Sequence, residues 1–369
     1  MEQIGIIGIG RLGLCLALNL ERAGYKVLGI DVSPELTDAV NKKTLRSSEP
    51  LVEEYLLQAK QLEASTDLSL LVQRDIHAVF IIVPTPSLPN GSFDHSYIDA
   101  VAQSLRSYGK RNTTCHLVIN STTMPGYCDT LHNAMKDLNY VVSYNPEFIA
   151  QGSIIEDQIK PDQVLIGEGS IEAGNEIENI YRRLCRNQPV FCRMDRVSAE
   201  ITKLATNCFL TTKISFANAI GDLALKAGGD PEKVLSAIGA DTRIGHKYFK
   251  YGFGYGGPCF PRDNRAFTGF ARAQQHSMLI SEATDATNEL HHQFLLDQWL
   301  ATYKEQEPIT FDSVTYKKGT DILEESQQLK LAVDLANAGR RVTIKESAAV
   351  IGKLQQLYGN LFSYEAHGN

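Results

Sequence analysis

Residues 8–13 read Gly8-Ile9-Gly10-Arg11-Leu12-Gly13, and what surrounds them narrows the fold more than any other stretch. An apolar run, 4–8, leads into the motif. A helical pattern, 11–22, follows and stops at Gly24, and a second apolar run, 26–30, ends on Asp31. Alone, three glycines at this spacing mean little. Between a strand and a helix, with an acid closing the next strand, they form the fingerprint of a dinucleotide-binding βαβ unit. Gly8 permits the tight turn, Gly10 lets a pyrophosphate approach the backbone, and Gly13 lets the helix pack on the strand. The helix start, with Ile9, Arg11 and Leu12, offers unpaired N–H groups to phosphate oxygens. Asp31 can accept from both hydroxyls of a ribose and repels a 2′-phosphate, which favours NAD over NADP.

The rest of the first half repeats this rhythm. Short apolar runs at 78–83, 117–120, 141–143 and 164–166 alternate with helical patterns. This predicts an α/β fold opening with a Rossmann-like, doubly wound parallel sheet covered on both faces. Near Val197 the pattern becomes one long helix to about Leu225, closed by Gly228-Gly229. Helical character then runs to about Tyr303, broken by a glycine-rich loop at 252–257. A last βαβ-like piece is expected at 310–316, 324–338 and 341–344. The expected division is 1–196 for the cofactor domain, 197–303 for a central helical domain and 304–369 for a short α/β tail.

Composition excludes several classes. The net charge of −7 offers no basic face for nucleic acid. No run reaches the roughly 18 uninterrupted apolar residues of a membrane span. Seven cysteines, odd in number and with no Cys-x-x-Cys pair, argue against a disulfide framework and against a metal site, and suggest a reducing cytoplasm.

Chemistry concentrates in a few places. The loops 81–87 (IIVPTPS) and 120–126 (NSTTMPG) put Thr and Ser just past strand ends, where ligands sit in doubly wound sheets; turn formation and helix capping account for such residues equally well. Lys203 and Asn207 lie four apart on the long helix and share a face, where they could steady a developing oxyanion. Glu200 and Lys203 also fit a solvated surface pair. The segment 252–263, GFGYGGPCFPRD, is more telling. Its glycines allow close backbone approach, and Pro261 suits the first position of a helix. Cys259 then lies at a helix start beside Arg262, a setting that favours the thiolate, with Asp263 near enough to take a proton. Glu147, just after a strand, could activate water.

These pieces, with NPEFIAQG, KPDQVLIG, AEITKLATNCFLTTKISFANAI, DTRIGHKYF and YKKGTD, resemble the UDP-glucose/GDP-mannose dehydrogenases in content and order over about residues 1–345, and most closely the UDP-glucose branch. The resemblance implies oxidation of a nucleotide-sugar C6 hydroxyl to a carboxylate, UDP-glucose to UDP-glucuronate, with two NAD reduced. It implies Cys259 as the nucleophile that carries a thiohemiacetal and then a thioester. Lys203 and Asn207 then hold the oxyanion, Asp263 assists proton transfer, Glu147 is the base for hydrolysis and Thr122 positions water. It places Pro84, Thr85, Ser121, Thr122, Gln151 and Arg262 around the cofactor, and the substrate against Phe148, Ile149, Ala150, Lys203, Asn207, Tyr248, Tyr255, Gly256 and Lys317. Arg243 would reach across to the partner of a homodimer built about the long helix. Three departures stand out. Gln151 replaces a family glutamate, Glu324 stands where the family has arginine, and the tail after Lys317 is short. Two other readings remain open: a single-hydride β-hydroxyacid dehydrogenase, which needs no cysteine, and a weakened paralogue that binds NAD or a nucleotide sugar without turnover.

Overall fold

The computed structural model describes residues 2–149 and 151–366 and separates into two compact units, 1–203 and 204–369. In the first unit the strands are β1 (Gln3–Ile7), β2 (Lys26–Ile30), β3 (Leu62–Ser65), β4 (Ala78–Ile81), β5 (Cys115–Ile119), β6 (Tyr140–Tyr144), β7 (Gln163–Glu168) and β8 (Val190–Asp195). The helices between them are α1 (Arg11–Arg22), α2 (Pro34–Asn41), α3 (Val52–Gln58), α4 (Leu70–Gln73), α5 (Ser96–Ser107), α6 (Tyr127–Met135), α7 (Ile154–Ile159) and α8 (Ile171–Leu184). The strands form one sheet in the order β3-β2-β1-β4-β5-β6-β7-β8. The order reverses between β1 and β4, and a crevice opens beyond the carboxyl ends of such strands.

The inner strands read as continuous apolar runs because both faces are covered: β1 buries all but its first residue, and β4 buries all four. Helix α1 is buried from Gly13 to Leu20, under the sheet on one side and α3, α7 and α8 on the other. Its one buried polar side chain, Asn19, is satisfied by Ile155 O at 3.2 Å and Gln158 Oε1 at 3.0 Å.

The first six strands are parallel, as expected, but β7 runs antiparallel to β6 and β8 parallel to β7. The connection explains it. Six-residue α7 rises about 9 Å, less than the about 16 Å length of a five-residue strand, so it does not return the chain to the far edge of the sheet. Strands β3 and β8, absent from the sequence reading, are the two edges of the sheet. Half-exposed edges carry no uniform apolar run: β8 reads VFCRMD and has no fully buried residue.

Helix α9 (Arg196–Lys226) is the long helix expected from the sequence. The second unit continues with α10 (Pro231–Gly239), α11 (Phe260–Ala273) and α12 (Leu279–Thr302). Its tail holds β9 (Ile309–Phe311), α13 (Gln327–Asn337), β10 (Val342–Glu346), α14 (Ala348–Tyr358) and β11 (Ser363–Ala366), with a parallel sheet in the order β11-β10-β9. Strand β9 stops at Phe311, short of the expected 316. Beyond it Ser313 Oγ and the amide of Val314 turn to the buried carboxylate of Glu346, at 2.6 and 3.0 Å. Among the described residues no helix is long and apolar enough to cross a membrane, and no group of side chains could hold a metal ion.

Candidate active site

The fingerprint glycines do three different jobs. Gly8 has φ +90°, and a Cβ there would stand 2.2 Å from the carbonyl oxygen of Ile82. A Cβ on Gly13 would stand 1.9 Å from the carbonyl oxygen of Gly8, so the first turn of α1 packs directly on the loop. A Cβ on Gly10 would meet nothing within 4 Å, and Gly10, the N-cap residue of α1, has no side chain with which to cap the helix. The space beside Gly10 at the start of α1 is therefore open, which suits a diphosphate. Ile9 is fully buried; its amide donates to Asp31 Oδ2 at 3.0 Å, and Ser33 N donates to Oδ1 at 3.1 Å. The carboxylate that should read the ribose is thereby fixed in place. Leu12 packs partly buried on the core, while Arg11 donates to Gln151 Oε1 at 2.8 Å. That second loop is held by Glu49, a buried carboxylate the sequence reading missed, which accepts from Gly152 N at 2.8 Å and Ile154 N at 3.4 Å.

The loops after β4 and β5 are tied together. Ser121 Oγ donates to Val83 O at 2.7 Å, and Thr85 Oγ1 donates to Thr122 O at 2.8 Å; Pro84 between them is exposed. The next residues bind Glu200. Its carboxylate accepts from Thr123 Oγ1 at 2.8 Å, Gly126 N at 2.6 Å and Cys128 N at 2.9 Å. This corrects the reading of Glu200 and Lys203 as a solvated pair. Glu200 is fully buried and caps α6 from the first turns of α9, a role that only the fold brings about. Burial raises its carboxyl above the usual range, and the three donors pull it back.

Lys203 is also buried, and it turns to the chain after β6. Its Nζ donates to Glu147 O at 2.8 Å and lies 4.7 Å from the ring centre of Phe148. Phe148 and Ile149 are half-buried; Ala150, named with them from the sequence, lies outside the described residues. The carboxyl of Glu147 sits among buried Asn120, Gln158 and Tyr181. Burial pushes it up to about 7, against the opposing pull of Lys203 and those hydrogen bonds. A carboxyl poised there exchanges its proton readily near neutral pH.

In the second unit, Asn207 and Asp263 are both buried and joined, Asn207 Nδ2 donating to Asp263 Oδ2 at 2.6 Å. Arg262 Nε lies 3.5 Å from the other oxygen. Cys259 is the N-cap residue of α11, and its carbonyl accepts from Asp263 N at 2.8 Å. The helix begins at Phe260, so Pro261 is its second residue rather than its first. Cys259 is the one exposed cysteine among the described residues. By contrast, burial pushes the thiols of Cys15, Cys115 and Cys208 up to about 12. The molecule thus has one exposed thiol, two half-buried ones at Cys185 and Cys192, and several sealed away.

Other sequence candidates are placed less uniformly. Tyr255 is buried, and its hydroxyl turns inward to Asp285. Gly256 passes so close to the carbonyl oxygen of Glu325 that a Cβ would stand 2.2 Å from it. Tyr248 is exposed, with φ +59° and its ring edge-on to Phe260. Arg243 lies exposed against Asp241 at 2.6 Å, and Lys317 and Glu324 are exposed.

Comparison with known proteins gives a consistent picture. Residues 2–185 match the model of the UDP-glucose/GDP-mannose dehydrogenase family, NAD binding domain, and residues 197–290 match its central domain. A UDP-glucose 6-dehydrogenase of Rickettsia bellii is 31% identical over 348 residues, 92% of this chain and 80% of that one. Another, of Pseudomonas aeruginosa, is 32% identical over 365 residues, 95% of this chain and 80% of that one. The structure of a UDP-glucose dehydrogenase from the hyperthermophilic archaeon Pyrobaculum islandicum aligns with a TM-score of 0.88 and 31% identity, over 99% of this chain and 86% of that chain.

Proposed function

This chain belongs to the UDP-glucose/GDP-mannose dehydrogenase family, and from that membership we propose that it oxidises the C6 hydroxyl of UDP-glucose to the carboxylate of UDP-glucuronate. The cofactor is NAD, and the residues present fit it: open space at Gly10, the N-cap of α1, and a fixed Asp31 carboxylate. When bound, NAD supplies the acceptor for each of the two hydrides that leave C6.

The observation that carries the reading is Cys259, the exposed thiol at the start of α11. An aldehyde formed at C6 is captured by its sulfur, making a C–S bond and a thiohemiacetal. Loss of the second hydride from that carbon leaves a thioester. Water then adds, the C–S bond breaks, and carboxylate and thiol separate. In this scheme Glu147, poised near neutrality, takes the proton from water, and Thr122 holds that water. Lys203 and Asn207, one turn apart on α9, face the oxyanion that forms twice along the way. Asp263, joined to Asn207 and next to Arg262, relays a proton. Phe148, Ile149, Tyr248, Tyr255, Gly256 and Lys317 contact the nucleotide sugar, and residues 304–369 hold its nucleotide half.

A homodimer is part of the proposal. Phe209, Phe216 and Leu223 recur every seven residues on α9 and are 65%, 53% and 62% exposed, an apolar stripe that a second copy would cover. Arg243 then serves the partner's substrate. The free cysteines suit a reducing cytoplasm.

The test is stoichiometry. The wild-type chain should yield two NADH per uronic acid, and Cys259→Ala should make none. Glu147→Gln should accumulate a sugar adduct on Cys259, visible by intact mass and released by hydroxylamine. One NADH per sugar, or undiminished turnover in Cys259→Ala, sinks the reading and restores the single-hydride alternative.

A further inference from the structure

The loop that delivers Cys259 forms no helix or strand from Lys250 to Pro258, so its backbone polar groups must find partners elsewhere. Two buried asparagines supply them. On α9, Asn218 Oδ1 accepts from Gly252 N at 3.1 Å, and its Nδ2 donates to Phe253 O at 3.3 Å. On α12, Asn288 Oδ1 accepts from Tyr255 N at 3.0 Å, and its Nδ2 donates to Tyr255 O at 3.1 Å. Each carboxamide uses both ends on the loop, as a neighbouring strand would. His291, one turn further along α12, adds a donor from Nε2 to Gly252 O at 2.7 Å. The fit is close. A Cβ on Gly254 would stand 2.3 Å from Asn288 Oδ1, so that glycine lets the loop reach the carboxamide.

We propose that Asn218 and Asn288 are positioning residues for Cys259: from two helices they fix residues 252–255, and so set where the thiol stands at the start of α11. The proposal rests on the reading of Cys259 as the nucleophile. Three residues separate Tyr255 from Cys259, and two of them, Gly256 and Gly257, are wedged against Glu325 O and the ring of Tyr316. Little slack remains, and a displacement at Tyr255 passes to the cysteine. Neither asparagine needs to touch substrate to matter, because a nucleophile misplaced by about 1 Å can cost orders of magnitude in rate.

The experiment uses the full chain carrying Asn218→Leu or Asn288→Leu, which remove both hydrogen-bonding ends at similar volume. Alkylation of Cys259 by iodoacetamide is followed against pH by peptide mass spectrometry, alongside kcat and KM. Each variant should move the midpoint of the Cys259 profile up by about half a unit or more, as the thiolate leaves the helix start. Each should lower kcat about tenfold while KM for NAD changes less than about twofold. An unmoved alkylation profile overturns the proposal, even if kcat falls in step with the folded fraction. Should Asn288→Leu not fold, Asn288→Asp keeps the acceptor for Tyr255 N–H, removes the donor and is read by the same profile. That profile requires no turnover. If Cys259→Ala kept producing uronic acid, the nucleophile reading alone would fail, and the effect on the thiol would still be measured.

Discussion

Replacing Glu147 by glutamine should make the protein more stable in alkaline solution while it stops hydrolysis. Burial lifts the carboxyl from the usual 4.5 to about 7, so the folded chain binds this proton more tightly than the unfolded chain does. The stabilisation from that proton is complete below about 4.5 and is lost as pH rises through about 7. Roughly two and a half pH units, at about 1.36 kcal/mol each, amount to about 3 kcal/mol carried by the wild-type chain as an ionised buried carboxylate above pH 7. A glutamine carries no such cost, although its amide must find an acceptor among Asn120, Gln158 and Tyr181, which returns about 1 kcal/mol. The stability difference between Glu147→Gln and wild type should therefore grow between pH 5 and pH 7 and level off at about 2 kcal/mol in favour of the variant. Urea unfolding of both proteins at several pH values measures it. A difference independent of pH, or one that favours wild type more as pH rises, would refute the argument that burial dominates at this site.

Three other outcomes can be checked. Asp31→Ala should raise the NADP-to-NAD ratio of kcat/KM about tenfold by removing the charge that faces a 2′-phosphate; an unchanged ratio would show that Asp31 does not read the ribose. Glu200→Ala strands two buried donors and one part-buried one and should cost about 3 to 5 kcal/mol in urea unfolding, and a loss below about 1 kcal/mol would mean that the cap on α6 is not needed. Phe216→Asp puts a charge in the middle of the exposed stripe of α9 and should leave a monomer in sedimentation; a persisting dimer would place the interface elsewhere.

What could be read in the sequence follows from how locally each feature is determined. The turn after β1 is encoded by three glycines within six residues, and α9 by one uninterrupted helical pattern, so both are legible. The reversal of β7 depends on the length of α7 relative to a strand, and no residue in either strand announces it. Thr123 looked like a turn former, and Glu200 looked like half of a surface pair. They are 77 residues apart in sequence and meet only when α9 folds back on the start of α6. Asn218 and Asn288 left a fainter trace, each a polar residue where its helix is buried, a position that demands a partner the sequence does not name. Cys259 was legible because its neighbours along the chain, glycines before it and a helix after it, create its surroundings.

The helices after β1 and β5 begin in opposite ways. Helix α6 receives an internal carboxylate from Glu200, so its N-terminus is satisfied whatever the solution contains. Helix α1 begins at Gly10, which has no side chain to cap it, and a bound diphosphate can take that place. The consequence is thermodynamic linkage. A cofactor bound there favours the folded chain, and stability should climb with NAD concentration as RT ln(1 + [NAD]/Kd), about 2.7 kcal/mol at a hundredfold excess over Kd. Resistance to unfolding in this protein is therefore set partly by the surrounding pool of its cofactor.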